Sequence, residues 1–190
     1  MNRTISELFK QCGSDKDNGH TYDYFYDSQF ASFDRNAPLD ILESGVWRGG
    51  SLVALKSYFP NANITGVDIV DVRLEHNKRT DIRFVQCDIK DYKPDRKFDI
   101  IIEDGSHSNE DALWAGSHMG EWLKEGGMLV IEDVQEGFII PTILWGRLCG
   151  DYVLNALDMR RITNTHDNFL IVIQKVQVNR KKKDGGDLKN

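Results

Sequence analysis

The sequence predicts an α/β fold: a doubly wound, mostly parallel seven-stranded sheet that ends in a C-terminal antiparallel hairpin. Three observations carry this expectation. Apolar runs of strand length alternate with stretches whose apolar residues recur at helical spacing. Two of those runs, Phe98-Asp99-Ile100-Ile101-Ile102 and Met128-Leu129-Val130-Ile131, read as parallel strands buried on both faces. The last two extended segments, 152–159 and 169–176, are separated only by the polar stretch 160–168, too short for a crossover, so they pair antiparallel.

Taken in order, residues 5–11 suit a short helix, followed by a polar, aromatic stretch to Phe33. Residues 39–43, after Pro38, form the first strand. Leu52, Leu55 and Phe59 recur at helical spacing, and Pro60 stops that helix. Residues 64–68 and 82–87 are the second and third strands; 70–80 between them is charged and reads as a loop with a helical turn. Residues 98–102 make the fourth strand. Ala112, Ala115, Met119 and Leu123 line one helix face, with Gly126-Gly127 as the stop. Residues 128–131 are the fifth strand, and 139–149 a helix that tolerates Pro141 in its first turn.

These elements suit one domain, 1–178, whose first 35 or so residues are expected either to act as a lid or simply to pack on the sheet, and a flexible basic and polar tail, 179–190. The run Arg180-Lys181-Lys182-Lys183 belongs to that tail and reads as a solvated, frayed terminus. A net charge of -6 argues against a nucleic-acid partner. No apolar run approaches the roughly 18 residues of a membrane span. The N-terminus lacks a signal-peptide core, which makes the cytoplasm the expected compartment. Cys12, Cys87 and Cys149 are odd in number and scattered, and form neither a disulfide framework nor a Cys-x-x-Cys metal site.

Open α/β sheets bind ligands at the carboxyl ends of their strands, where strand order reverses. Glu43, Asp68, Asp88, Asp104 and Glu132 each sit at or beside the end of an expected strand. If the fourth and fifth strands are neighbours, their ends lie roughly 4.8 Å apart. Glu103-Asp104 and Glu132-Asp133 then crowd together and must take up protons or share a cation. His107, three residues past Asp104, supplies a base beside that cation. Glu103 alternates with Asp104 and is expected to point away. Since successive strand residues face opposite ways, Glu132 and Asp133 can share an ion only if the strand breaks there.

The first turn, Glu43-Ser44-Gly45-Val46-Trp47-Arg48-Gly49-Gly50-Ser51, has glycines for a sharp turn and close approach to a ligand. Its spacing differs from the Gly-x-Gly-x-x-Gly of dinucleotide sites, and Trp47 would fit poorly against a pyrophosphate. Asp68 is placed to hold ribose hydroxyls and Asp88 an adenine amino group. Acids around a ligand without phosphates suit a cationic nucleoside.

The segment 41–52 resembles the cofactor motif of class I S-adenosylmethionine-dependent methyltransferases. Gly13-Ser14-Asp15-Lys16 with His20-Thr21-Tyr22, Glu103-Asp104-Gly105-Ser106-His107, and Gly127-Met128-Leu129-Val130-Ile131-Glu132-Asp133 resemble, more narrowly, the metal-dependent sugar O-methyltransferases of the macrocin and mycinamicin type. The likeness runs from about residue 10 to 140. It implies a Rossmann-like methyltransferase fold, S-adenosylmethionine and Mg2+ or another divalent cation as cofactors, and a sugar or nucleotide-linked sugar as acceptor. The cofactor set expected here is Glu43, Gly45, Val46, Trp47, Ser51, Asp68, Ile69, Asp88, Ile89 and Asp104. The resemblance assigns the metal to Asp104, Glu132 and Asp133, and the base to His107. The chain is shorter than some macrolide enzymes, which use a large N-terminal extension for substrate binding and assembly. Ser44 and Trp47 also stand where related sequences vary.

Such a site suits methyl transfer to a hydroxyl, which needs an oriented, deprotonating alcohol. Two other readings stay open: an O-methyltransferase for a catechol-like or other vicinal-diol acceptor, with the cephalosporin-hydroxylase relatives sharing the strand-end pattern, and a noncatalytic nucleoside-binding or assembly subunit. Homo-oligomerisation is also open. His76, His118 and His166 read as surface residues, and Trp114, Trp122 and Trp145 as packing. Lys16 or His20 is expected near the cofactor carboxylate, and Gln135 and Glu136 near an acceptor hydroxyl.

Overall fold

A computed structural model of the 190-residue chain describes residues 3–17, 20–71, 80–148, 150–160 and 168–177. The basic tail, Cys149, His76, His166, most of the 70–80 loop and all but the ends of the 160–168 loop lie outside the described residues.

Seven strands form one sheet: β1 (Asp40–Ser44), β2 (Asn63–Asp68), β3 (Ile82–Gln86), β4 (Phe98–Glu103), β5 (Leu123–Ile131), β6 (Tyr152–Asp158) and β7 (Phe169–Lys175). Their order is β3-β2-β1-β4-β5-β7-β6. The β1 to β5 pairings are parallel, and β7 alone runs backwards, pairing antiparallel with both β5 and β6. This is the arrangement expected from the sequence.

Period-two alternation divides the core between the two faces of the sheet. Ile100, Ile102, Met128 and Val130 pack with α1 (Ile5–Cys12), α2 (Asp23–Phe30) and α3 (Gly50–Tyr58). Ile101, Leu129 and Ile131 pack with α4 (Asn109–His118) and α5 (Ile139–Arg147). Helices cover both faces, which is why the central strands are apolar on both sides.

Local signals explain the helix ends. Thr4 and Glu7 form a reciprocal capping box on α1, and Gly13 closes it in the left-handed region at φ 70°. Ser108 caps α4 through its hydroxyl, which accepts from the Asp111 amide.

Three expectations are corrected. The helix expected to run past Leu123 ends at His118 and tightens into a 3-10 turn, Met119–Trp122. Leu123 already belongs to β5 and pairs with Phe98. Gly126-Gly127 is therefore no helix stop: it lies in a bulge that carries the β4–β5 register from Phe98/Leu123 to Ile100/Met128. A Cβ on Gly127 would stand 2.9 Å from the Phe98 carbonyl. Trp145, expected to pack, is 71% exposed on α5. The N-terminal segment contributes to the core: Ile5, Phe9, Tyr22, Tyr26 and Phe30 are fully buried, and the stretch read only as polar and aromatic contains α2.

Among the described residues, no helix is long and apolar enough to cross a membrane.

Candidate active site

The chain proceeds outward from β1 through β2 to β3, then returns to place β4 on the other side of β1. At this reversal a cavity of about 570 Å³ opens over the carboxyl ends of the strands, within the range of small-molecule sites.

Its floor is the β1–α3 turn. The Gly45 amide donates to the Val67 carbonyl (3.0 Å), and the Asp104 amide to the Ser44 carbonyl (2.9 Å). Gly45 sits at φ 80°, and a Cβ there would lie 1.8 Å from the Asp104 carbonyl oxygen, so no other residue fits without moving β4. Asp68 ties the turn to β2: its Oδ2 accepts from the Val46 amide (2.7 Å) and the Trp47 amide (3.2 Å). Trp47 takes a left-handed backbone, φ 47°, and stands exposed at the cavity with the Arg48 guanidinium over its ring.

Of the expected cofactor set, Gly45, Val46, Trp47, Ser51, Asp68, Ile69, Asp88, Ile89 and Asp104 all line the cavity. Glu43 does not. It is fully buried behind the wall, accepting from Ser51 Oγ (2.7 Å) and facing Lys16 at 3.5 Å. Burial raises its carboxyl pKa to about 7 against the pull of Lys16 and Ser51. Ser14, Lys90 and Asp111 line the cavity without having been expected there, and so does Trp114, expected only to pack. Lys90 pairs with Asp111, an ion pair between the loop after β3 and the first turn of α4 that no local spacing announces. His118 is exposed, its ring stacked on Trp114.

Beside this cavity lie the strand-end acids. β5 ends at Ile131, so Glu132 and Asp133 are both past the strand, and Asp133 adopts φ 55°. The Glu132 amide still donates to the Glu103 carbonyl (2.9 Å), which keeps the two strand ends together. Asp104 follows β4, and His107, also at φ 55°, folds back over it. Among the described residues, Thr21 is the remaining non-glycine residue with positive φ. That Trp47, His107 and Asp133 all belong to this site matches the tendency of strained backbone to gather where function needs it.

His107 Nε2 stands 3.2 Å from Asp104 Oδ1 and 3.3 Å from Asp133 Oδ2. The hydrogen bond to Asp104 and the charges of Asp133 and Asp104 raise its pKa to about 9, against partial burial. Glu103, expected to point away, lines the cavity as well: its Oε1 accepts from the Gly105 amide (3.2 Å), and burial raises its pKa to about 7.

The N-terminal segment supplies what sequence reading missed. Lys16, 1% exposed, donates to Asp104 Oδ2 (2.7 Å) and Glu132 Oε2 (2.8 Å). It is thus buried among carboxylates. Tyr26 donates to Glu132 Oε1, and Tyr22 to Asp133 Oδ1 (2.5 Å). His20 Nδ1 lies 3.1 Å from the same Asp133 oxygen and stacks on Tyr22. Burial works to deprotonate Lys16, but Asp104, Glu132 and Glu43 overcome it and hold its pKa well above the ordinary lysine value. Burial likewise acts to raise Asp104, and the Lys16 charge and the His107 hydrogen bond outweigh it, leaving that carboxyl lowered.

The donor set can be tested against a divalent cation. Asp104, Asp133 and His107 each present one ligand atom, all within 4.8 Å of one another. Hard carboxylate oxygens and an imidazole suit such an ion. Both oxygens of Glu132, expected as the third carboxylate ligand, already accept from Tyr26 and Lys16. The structure therefore brings the expected acids together but turns Glu132 to Lys16.

Comparison with known proteins accords with this geometry. The family described as "Methyltransferase domain" matches residues 41–127. The mycinamicin VI 2''-O-methyltransferase of Micromonospora griseorubida is 34% identical over 130 residues, 60% of this chain and 32% of that protein. The demethylmacrocin O-methyltransferase of Streptomyces fradiae is 33% identical over 149 residues, 70% of this chain and 35% of that protein. The chain spans about a third of the length of these curated relatives. The solved structure of the MycE methyltransferase from the mycinamycin biosynthetic pathway, in complex with Mg, SAH and mycinamycin VI, superposes with a TM-score of 0.69 at 26% identity. That match covers 97% of this chain and 57% of MycE. With its strand order, its turn after β1 and these relatives, the chain resembles the class I S-adenosylmethionine-dependent methyltransferases and, among them, the macrocin and mycinamicin type.

Proposed function

We propose that this protein transfers a methyl group from S-adenosylmethionine to a hydroxyl of a sugar or sugar-bearing small molecule, with His107 as base and a divalent cation, magnesium by preference, at the strand-end acids. One observation carries the reading: His107 Nε2 faces both Asp104 Oδ1 and Asp133 Oδ2 while its residue and Asp104 line the cavity. The relatives' names support the acceptor class, since they specify O-methylation of mycinamicin VI and demethylmacrocin.

When bound, S-adenosylmethionine supplies an electrophilic methyl group and the cation Lewis-acid polarisation of the acceptor hydroxyl. Asp68 and Asp88 would hold the nucleoside, Asp68 also keeping the Val46–Trp47 turn in shape. Asp104 and Asp133 would hold the cation. Asp104 Oδ1 and Asp133 Oδ2 hold the protonated ring through Nε2, and once that proton has left, Nε2 takes the acceptor's proton. A base already carrying a proton cannot accept another, so His107 must lose its own first. A cation on the same two carboxylate oxygens would weaken their pull and lower that pKa.

The test is labelled methyl transfer to free, glycosidic and nucleotide-linked sugars, with magnesium and with chelator. Asp104→Ala should abolish magnesium-dependent turnover while largely sparing S-adenosylmethionine binding measured by calorimetry. Full turnover in chelator would remove the cation from the reading, and full turnover by His107→Ala would remove the base.

A further inference from the structure

We propose that Lys16 is a built-in cation of the acid cluster, a positioning residue that holds Glu132 and one oxygen of Asp104 and so weakens the cluster's grip on an exchangeable divalent ion. The inference rests on the metal-assisted reading above. Its basis is geometric. The ammonium, almost wholly removed from water, meets Asp104 at 2.7 Å, Glu132 at 2.8 Å and Glu43 at 3.5 Å. An ammonium has three protons to donate, and three carboxylates surround it. Burying a strongly hydrated charge is costly, and only close opposite charges with good hydrogen bonds offset that cost.

The backbone around Lys16 fixes it there. Its amide donates to Ser14 Oγ (3.4 Å), and its carbonyl accepts from the Asp23 amide (3.2 Å). Tyr26 takes the remaining oxygen of Glu132, leaving that side chain turned to the N-terminal segment. Asp104 is shared: Oδ2 faces Lys16 and Oδ1 faces His107. A divalent ion on Oδ1 would therefore feel the ammonium through one carboxylate, at separations where like charges repel strongly in a water-poor site. Two consequences follow. The acids stay assembled without the ion, and the ion binds weakly enough to exchange.

The experiment compares the full wild-type chain with Lys16→Met, using manganese alone as probe. Manganese binding is read by electron paramagnetic resonance, and thermal unfolding is read in chelator and in manganese. Wild type should remain folded in chelator. Lys16→Met should bind manganese on the order of tenfold more tightly, because the repelling charge is gone. Its melting temperature should fall in chelator and recover in manganese. Equal or weaker manganese binding by the variant, or a melting loss that manganese leaves untouched, overturns the proposal. If Lys16→Met does not fold in chelator, refolding in manganese supports the proposal and failure to refold overturns it. Binding by neither protein sinks the metal reading and this inference together, whereas equal binding by both sinks this inference alone.

Discussion

His107 ties the site's electrostatics to stability, and replacing it with glutamine makes the link measurable. Its pKa rises from the ordinary 6.5 to about 9, chiefly through Asp104 and secondarily through Asp133. At about 1.36 kcal/mol per pH unit, that corresponds to roughly 3 kcal/mol. The side chain is 35% exposed, so solvent screening reduces the figure to about 1–2 kcal/mol. The folded state binds this proton more tightly than the unfolded chain. The stabilisation is therefore complete below pH 6.5 and is lost as pH rises through about 9. For a domain of this size it amounts to roughly 2–8 °C in melting temperature. The assay is calorimetry of wild type and His107→Gln in chelator, at steps from pH 6 to 10. The wild-type advantage should be largest at the acid end and vanish near pH 10. Parallel profiles across that window would refute the claim that Asp104 and Asp133 hold the imidazolium.

Two further substitutions probe the scaffold. Tyr26→Phe removes the donor to buried Glu132 Oε1 and should cost about 1–3 kcal/mol, read as a lower denaturant midpoint at unchanged slope; an unchanged midpoint would show that this oxygen needs no partner. Gly45→Ala places a methyl 1.8 Å from the Asp104 carbonyl at φ 80° and should both destabilise the fold and abolish S-adenosylmethionine binding in dialysis; retention of full affinity would mean that the turn after β1 does not shape the cofactor site.

Much of this architecture was legible because burial on both faces leaves a local mark. The runs at β4 and β5 are apolar on consecutive residues, which is how strands between two helical layers must read. The acids after those runs could be placed at one sheet edge from topology alone, and the break after Ile131 was a requirement of sharing an ion. Gly126-Gly127 misled, because glycine pairs serve helix ends and bulges alike, and only the Phe98 and Asp99 carbonyls decide between them. Trp145 misled because an apolar residue can stand on an outward helix face.

The sequence by itself determined the strand and helix alternation, the likeness to the methyltransferase turn, and the meeting of Asp104 and Asp133 at His107. Only the tertiary structure decided who partners those acids. Lys16, Tyr22 and Tyr26 reach them across 88 to 116 positions of chain. Periodicity records which way a side chain faces, but not which distant charge it will meet. A buried carboxylate must find a donor, and the nearest one in space came from the first turn-and-helix segment of the chain.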